Sequence, residues 1–374
     1  MFSASASEER KYWGFLLFSE VIRGAPEHLI ATVFSQNLMR CLLNQLAFPE
    51  RYLHRIAQKA LRAVHVRVEA QPDIALTVVS GLMGSKGAIN FDQATKTKTI
   101  ERLLSQTSVT ALRQIIALFE SFILQPGVAE EKAADSRRQL LADQLLGTVR
   151  SRKHEDAGKT AKLDTTSWTE QVMFVFVKFG YFILNPGPDK LDKSPKPPLS
   201  KASRSLFRSR ISSCLVYLMS TPEGANFPYS VVSNIRTREE YDECQSLFQA
   251  DDNVRQSVKR AWKALEKVHA KESSTKHDKR AYLRAFKLLY SLTILQVYNG
   301  DGDAVLVLDE LKTCYDSLVK HSSADSDKAS ELLVEVLLSF VSKPSTLFRR
   351  LAEQVFTTFT TQINAAGLQA MVKV

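Results

Sequence analysis

The 374 residues carry 50 Lys and Arg against 40 Asp and Glu, a formal net charge of +10, with 44% hydrophobic and 24% charged side chains. Those are the proportions of a chain that folds around an apolar core. Fourteen glycines are sparse for strands joined by tight hairpins, and no Asn-Gly or Asp-Gly pair separates two alternating runs, which speaks against an all-β fold. The single Asn-Gly, Asn299-Gly300, lies between two helical patterns. The four cysteines, Cys41, Cys214, Cys244 and Cys314, are far apart with no C-x-x-C pair. That spacing excludes a small zinc module and gives no disulfide framework; the thiols read as free and buried, in a reducing compartment.

No run reaches the eighteen or so apolar residues of a membrane span; the most apolar stretch, Val172 to Leu184, is interrupted by Lys178 and Gly180. The opening MFSASASEERK has no apolar h-region, so neither membrane insertion nor secretion is expected. Charge is uneven. Residues 1–150 hold 18 basic and 14 acidic side chains, 151–299 hold 25 and 16, and 300–374 hold 7 and 10. A basic middle suggests a surface that meets an anionic partner.

In chain order, Ser7 is placed to cap a helix through Tyr12 and Ile22 that Gly24 ends. Pro26 and Pro49 suit the first turns of the next helices, where a missing N–H costs nothing. The Gly-rich Gly81 to Gly87 follows a helical pattern and reads as a connecting loop. Val109, Leu112, Ile116, Phe119 and Ile123 recur at helical spacing, as do Trp168, Val172, Val175, Phe179 and Phe182. Around the second set, Ser151 to Thr166 is polar and without a stripe, and Asn185 to Ser200 holds five of the twelve prolines; both read as loops. Lys271 to Asp278 is a shorter loop. Val305, Leu308, Leu311, Tyr315 and Leu318 form another stripe, and Pro344 can open a helix containing Leu347, Leu351 and Val355.

About fifteen helices of mostly 10 to 20 residues, joined by short connections, predict an all-α fold: a HEAT/armadillo-like helical-repeat solenoid of antiparallel helix pairs. A compact irregular bundle is the competing architecture. The division expected is 1–150 N-terminal helical repeats, 151–200 polar and Pro-rich loops around one helix, and 201–374 C-terminal helical repeats, as one continuous solenoid.

Metal-dependent nucleotide chemistry needs carboxylates gathered around divalent ions. The acidic clusters are Glu239, Glu240, Asp242 and Glu243, then Asp251 and Asp252, then Asp301 and Asp303. Each reads as a helix start or a turn, where acids complement the helix dipole. Asp301-Gly302-Asp303 lacks the rest of a calcium loop, since its twelfth position is Lys312. There is no Walker-type phosphate loop, and His54 and His65, eleven apart, have no acidic partner at metal spacing. The expectation is a non-enzyme with no cofactor, no metal and no small-molecule substrate.

Positive charge is arranged on certain helices. Arg51, Arg55, Lys59 and Arg62 step by 4, 4 and 3, opposite Leu53, Ile56, Ala60 and Val64. Arg255, Lys259, Lys263, Lys267 and Lys271 step by four, with Val254, Val258, Trp262, Leu265 and Val268 facing inward; Arg280, Arg284 and Lys287 continue on the next helix. Like charges at i,i+4 repel by a few tenths of a kcal/mol per pair. A row of four or five therefore points to an anionic surface, nucleic-acid phosphate or an acidic protein; the plainer alternative is a solvated face offset by acidic neighbours. Trp262 and Tyr282 are expected in the core, so base readout is not indicated.

At GAINFDQATKTKTI (Gly87 to Ile100) the sequence resembles the fungal DNA polymerase V group, also called DNA polymerase phi, whose animal relatives are the Myb-binding protein 1A proteins. KYWGFLLFSEVI from Lys11, CLLNQLAFPERYLHRIAQKAL from Cys41, VYNGDGDAVLVLDEL from Val297 and ELLVEVLLSFVSKPSTLFRRLAEQVFTTF from Glu331 fit the same family, in the same order. The resemblance implies a helical-repeat protein of the nucleus and nucleolus, acting in rRNA transcription and ribosome biogenesis. Its implied partners are ribosomal DNA or pre-rRNA together with pre-ribosomal or transcription proteins. No polymerase activity is carried over, because no carboxylate constellation matches it. Family members run longer, with more repeats, an acidic tract and a Lys-rich tail, so the chain is expected to be an interior portion. The function expected is a scaffold whose basic helix faces bind DNA or RNA in transcription regulation. The alternative is a protein–protein interaction solenoid, corepressor-like, without direct nucleic-acid binding.

Overall fold

A computed structural model describes the chain except residues 153–165, 185–193, 222–223, 241–243, 276, 321–325, 361–362, 364 and 373–374. Most of the two expected loops at 151–166 and 185–200, and the acids Asp242 and Glu243, lie outside the described residues. The fold is all-α, as expected, and consistent with a helical-repeat architecture. Eighteen α-helices occur among the described residues. The excess over fifteen comes from helices too short to show a full apolar stripe.

The helices are α1 (Glu8–Gly24), α2 (Glu27–Val33), α3 (Gln36–Leu46), α4 (His54–Ala70), α5 (Ala75–Met83), α6 (Phe91–Thr95), α7 (Thr99–Gln106), α8 (Val109–Leu124), α9 (Glu131–Ser151) and α10 (Trp168–Tyr181). Then come strand β1 (Phe182–Leu184), α11 (Lys201–Leu218), α12 (Phe227–Glu239), β2 (Cys244–Ser246), α13 (Asp252–Ser274), α14 (His277–Tyr298), α15 (Asp303–Lys320), α16 (Ser326–Val341), α17 (Thr346–Phe359) and α18 (Ala365–Val372). The chain divides into two compact units, Met1–Val175 with Pro188–Leu206, and Phe176–Gly187 with Phe207–Val374.

In the first unit, Ser7 caps α1 as read from the sequence, its side chain accepting from the Arg10 N–H. The prolines sit differently. Pro26 is itself the N-cap of α2, and Pro49 lies in the turn between α3 and α4 rather than in a first helical turn. Each still occupies a position whose N–H no helix needs. Gly81 is inside α5, with the Phe34 ring packed where its Cβ would stand; the glycine lets α2 and α5 approach. On α8, Leu112, Ile116, Phe119 and Ile123 are buried while Val109 is exposed. Arg138 on α9 is fully buried, donating to the carbonyls of Ile123, Pro197 and Pro198, with Asp135 beside it. A buried guanidinium satisfied by backbone carbonyls fastens residues 197–198 to α9.

The second unit begins within α10, at Phe176, and the apolar stripe read for that helix runs one step beyond it, because Phe182 belongs to β1. It is nevertheless buried. β1 pairs antiparallel with β2, Phe182 opposite Ser246 and Leu184 opposite Cys244. This ribbon is the only sheet among the described residues, and three-residue strands are too short to leave a period-2 signal. Every residue of α14 from Ala285 to Tyr298 is buried, and α12, α13, α15 and α17 all pack against that helix. A helix buried on every side is one surrounded by others. The rings of Tyr282 and Phe286 meet Phe359 of α17 at 5.1 and 5.3 Å. The side chains of Cys41, Cys214 and Cys314 are buried, whereas Cys244 on β2 is half-buried. No helix among the described residues is long and apolar enough to cross a membrane.

Candidate nucleic-acid interface

The acidic clusters are placed by helix termini. Asp251 is the N-cap of α13 and accepts from the Val254 N–H at 2.8 Å, with Asp252 in the first turn. Asp303 opens α15, and Asp301 pairs with Lys343. Glu239 corrects the sequence reading, since it is the last residue of α12, where the dipole disfavours an acid, while Glu240 lies in the turn that follows. Glu239 is offset there by accepting hydrogen bonds from the Tyr298 hydroxyl at 2.7 Å and Ser246 Oγ at 2.9 Å. Among the described residues no three His, Cys, Asp or Glu side chains are grouped as metal ligands.

The basic row of the first unit begins in a turn. Arg51 precedes α4, half-buried, its guanidinium 5.1 Å from the centre of the Phe48 ring. The ammonium of Lys96 lies 5.3 Å from the same ring. Lys96 was not legible as a site residue, because it follows α6 in a left-handed cap at φ 54°. Its signal is the alternation in TKTKT: Thr95 and Thr99 are buried, while Lys96 and Lys98 are exposed. Arg55, Lys59 and Arg62 are all exposed on α4. Steps of 4 and 3 residues rotate by about +40° and −60°, so these three stay within one narrow stripe. None has an ion-pair or hydrogen-bond partner among the described residues.

The α13 row behaves differently. Each step of four advances about 40°, so the row winds by about 160° from Arg255 to Lys271. Arg255, Lys259, Lys263 and Lys267 are exposed and have no ion-pair partner among the described residues. Lys271 has turned toward α15, its ammonium 5.9 Å from the Tyr315 ring centre. The acid within this stretch, Glu266, is taken up by Arg236 of α12, and Arg260 reaches Asp309 of α15 at 3.5 Å. Val258, Trp262, Leu265 and Val268 are buried as expected, with Val254 half-buried.

On α14 the spacing misleads. Arg280 and Arg284 are exposed, but Lys287 is buried, 2% exposed, and pairs with Glu272 of α13, itself 5% exposed. The second oxygen of Glu272 receives Arg284 Nε at 2.8 Å, and Lys287 also donates to Asn226 Oδ1 at 2.8 Å. Burial pushes the Glu272 carboxyl up, but the hydrogen bonds and charges of Lys287 and Arg284 outweigh it and hold it below its ordinary range. Lys287 therefore holds α13 to α14 and is withdrawn from any outward cationic face. The pattern that could have shown this is the run from Ala285 to Tyr298, in which Lys287 is the only charge.

Arg280 and Arg284 also line a cavity of about 260 Å³ between α14 and α17, with Ala281, Ala285 and Leu288 from α14 and Gln354, Val355 and Thr358 from α17.

A sequence profile described as DNA polymerase phi matches residues 1–374. The "rDNA transcriptional regulator pol5" of Schizosaccharomyces pombe is 29% identical over 98% of this chain and 39% of its own length. The "rDNA transcriptional regulator POL5" of Saccharomyces cerevisiae is 26% identical over the whole chain and 34% of its own. A "Myb-binding protein 1A-like protein" of Danio rerio is 30% identical over 33% of the chain and 9% of its own. The chain thus spans between a third and two fifths of the two yeast relatives. No solved structure matches significantly. The chain belongs to the DNA polymerase phi family.

Proposed function

We propose that this chain is a non-enzymatic scaffold of the nucleus and nucleolus that binds ribosomal DNA or pre-rRNA through two basic helix faces and serves rDNA transcription and ribosome biogenesis. Arg55, Lys59 and Arg62 form one face; Arg255, Lys259, Lys263 and Lys267 form the other. The observation that carries the reading is that these seven cations are exposed and without ion-pair partners among the described residues, whereas Arg236, Arg260, Arg284 and Lys287 are paired with acids. On α13 the acids Glu266 and Glu272 are taken up by Arg236, Arg284 and Lys287 rather than by the row, which leaves its cations available to phosphate. The names of the yeast relatives, regulators of rDNA transcription, agree with this reading and with a non-catalytic role.

Phosphate contacts make affinity fall linearly with the logarithm of salt, by about 0.9 per contact on duplex DNA. Replacing Lys259, Lys263 and Lys267 together by Glu is expected to flatten that slope and weaken binding without altering the circular dichroism spectrum. An unchanged slope removes the α13 face from the interface. Partners that persist in a pull-down after nuclease treatment, with no direct binding to purified rDNA or rRNA, would favour the protein–protein alternative.

A further inference from the structure

We propose that the cavity between α14 and α17 receives one unpaired base of a nucleic-acid strand, with the adjoining phosphate on Arg280 and Arg284. This rests on the polyanion-binding reading above and adds a site able to distinguish a single strand from a duplex.

Size and lining argue for a base. The volume of about 260 Å³ falls just under the range of drug-sized pockets, about 300–1,000 Å³, and suits a single heterocycle. Ala281 and Ala285, one turn apart on α14, keep the helix surface low enough to leave that space, and Leu288 with Val355 makes an apolar floor. A phosphate alone would leave such a floor unused. The planar face of a base fills it, and bases are held in proteins by stacking on aromatic, apolar or guanidinium surfaces combined with hydrogen bonds along one edge.

The polar groups fit the same ligand. Gln354 is exposed and its amide has no partner among the described residues, so it offers both a donor and an acceptor to a base edge. The Thr358 hydroxyl donates to the Gln354 carbonyl at 3.0 Å, which leaves its lone pairs to accept. Arg280 is exposed and unpaired. Arg284 gives only its Nε–H to Glu272, so its terminal N–H groups are fixed in place yet free for an anion. Since Glu272 is shared by Lys287 and Arg284, those three groups sum to one positive charge. Arg280 adds a second. In a duplex the base lies inside the stack and cannot enter without being flipped out.

The experiment compares a single-stranded RNA oligonucleotide, the same strand with abasic positions, and a blunt duplex, by fluorescence anisotropy on the full chain. Ala281→Leu fills the cavity at an exposed helix position, where folding is spared, and is expected to weaken the intact single strand about tenfold. The abasic strand and the duplex should be unaffected. Arg280→Gln is expected to lower the single-strand salt slope by about 0.7, one contact. Equal affinity of intact and abasic strands, or no effect of Ala281→Leu, would overturn the assignment. If Lys259→Glu, Lys263→Glu and Lys267→Glu still weaken all three ligands, the phosphate-binding reading survives that loss; if no nucleic acid binds, both fall. Displacement of the strand by a poly-glutamate peptide that depends on an open cavity would assign the pocket to an acidic protein instead.

Discussion

Glu272 and Lys287 form a buried ion pair between α13 and α14, with Arg284 on the remaining carboxylate oxygen and Asn226 accepting a second ammonium proton. Removing one member of such a pair leaves the other charged in a low-dielectric contact and typically costs about 3–5 kcal/mol, whereas replacing both by apolar groups is often neutral. Glu272→Gln is therefore expected to lower unfolding stability by an amount in that range. Glu272→Leu combined with Lys287→Met should recover most of it. Urea unfolding followed by circular dichroism measures both, and equal losses in the two variants would contradict the pairing.

The same pair sets an acid limit. A carboxyl held below its ordinary value stabilises the fold fully above about pH 4.5, and that contribution disappears as pH falls through the lower folded value. Two histidines begin the decline earlier. Burial is the main cause that lowers His65, with Arg102 adding to it, and His269, with Lys287 adding to it. The unfolded chain then binds more protons than the folded one below pH 6.5, so stability should fall as pH drops through that value. His269→Gln should flatten the fall between pH 6.5 and 5, measured as the urea midpoint at several pH values. A midpoint that rises on acidification to pH 5.5 would refute the sign.

The helices were legible because apolar positions recur at helical pitch and caps such as Ser7 and Asp251 are local chemistry. What covers each helix was not. Arg280, Arg284 and Lys287 share a spacing that puts them on one face, yet that face is open at Arg280 and sealed by Glu272 at Lys287. The deciding contact is fifteen residues away on another helix. Lys96 was missed for the converse reason, since it sits beside Phe48 through tertiary packing and a single left-handed residue. Glu239 was misread because a run of acids looks alike at either end of a helix, and only the Tyr298 hydroxyl shows how the unfavourable end is tolerated.

The α4 row offers a test that separates binding from folding. Arg55 lies in the first turn of α4, which has no acidic residue, so its charge opposes the helix dipole at that end. Reversal to Glu there is favourable by about 0.3–1 kcal/mol. Arg55→Glu with Lys59→Glu and Arg62→Glu is thus expected to leave stability equal or slightly higher while weakening nucleic-acid binding and its salt dependence. Paired melting and anisotropy titrations report on both. Loss of stability together with binding would mean that the row holds the fold.

Asp92 shows what part of the family-like segment is structural. One carboxylate oxygen accepts from the Ile100 N–H at 3.0 Å, and the other from Ile100 at 3.0 Å and Glu101 at 3.2 Å, capping α7 from the preceding helix. Beside it the hydroxyls of Thr95, Thr97 and Thr99 are linked at 2.8 and 3.0 Å, and Thr95 donates to the Phe91 carbonyl at 2.7 Å. The residues of FDQATKTKTI that point inward therefore close a turn, and those that point outward, Lys96 and Lys98, carry charge. Burial raises the Asp92 carboxyl against the pull of its backbone hydrogen bonds. Unlike Glu272, it should not contribute to acid unfolding, because the folded state then binds its proton the more readily. Asp92→Ala removes the cap and leaves the Ile100 N–H unpaired, at a cost of about 1–3 kcal/mol. Asp92→Asn keeps one oxygen for Ile100 and should lose less. The ordering of the two urea midpoints, with the denaturant slope unchanged, is the measurement; Asn as costly as Ala would mean that charge rather than the acceptor geometry holds the turn.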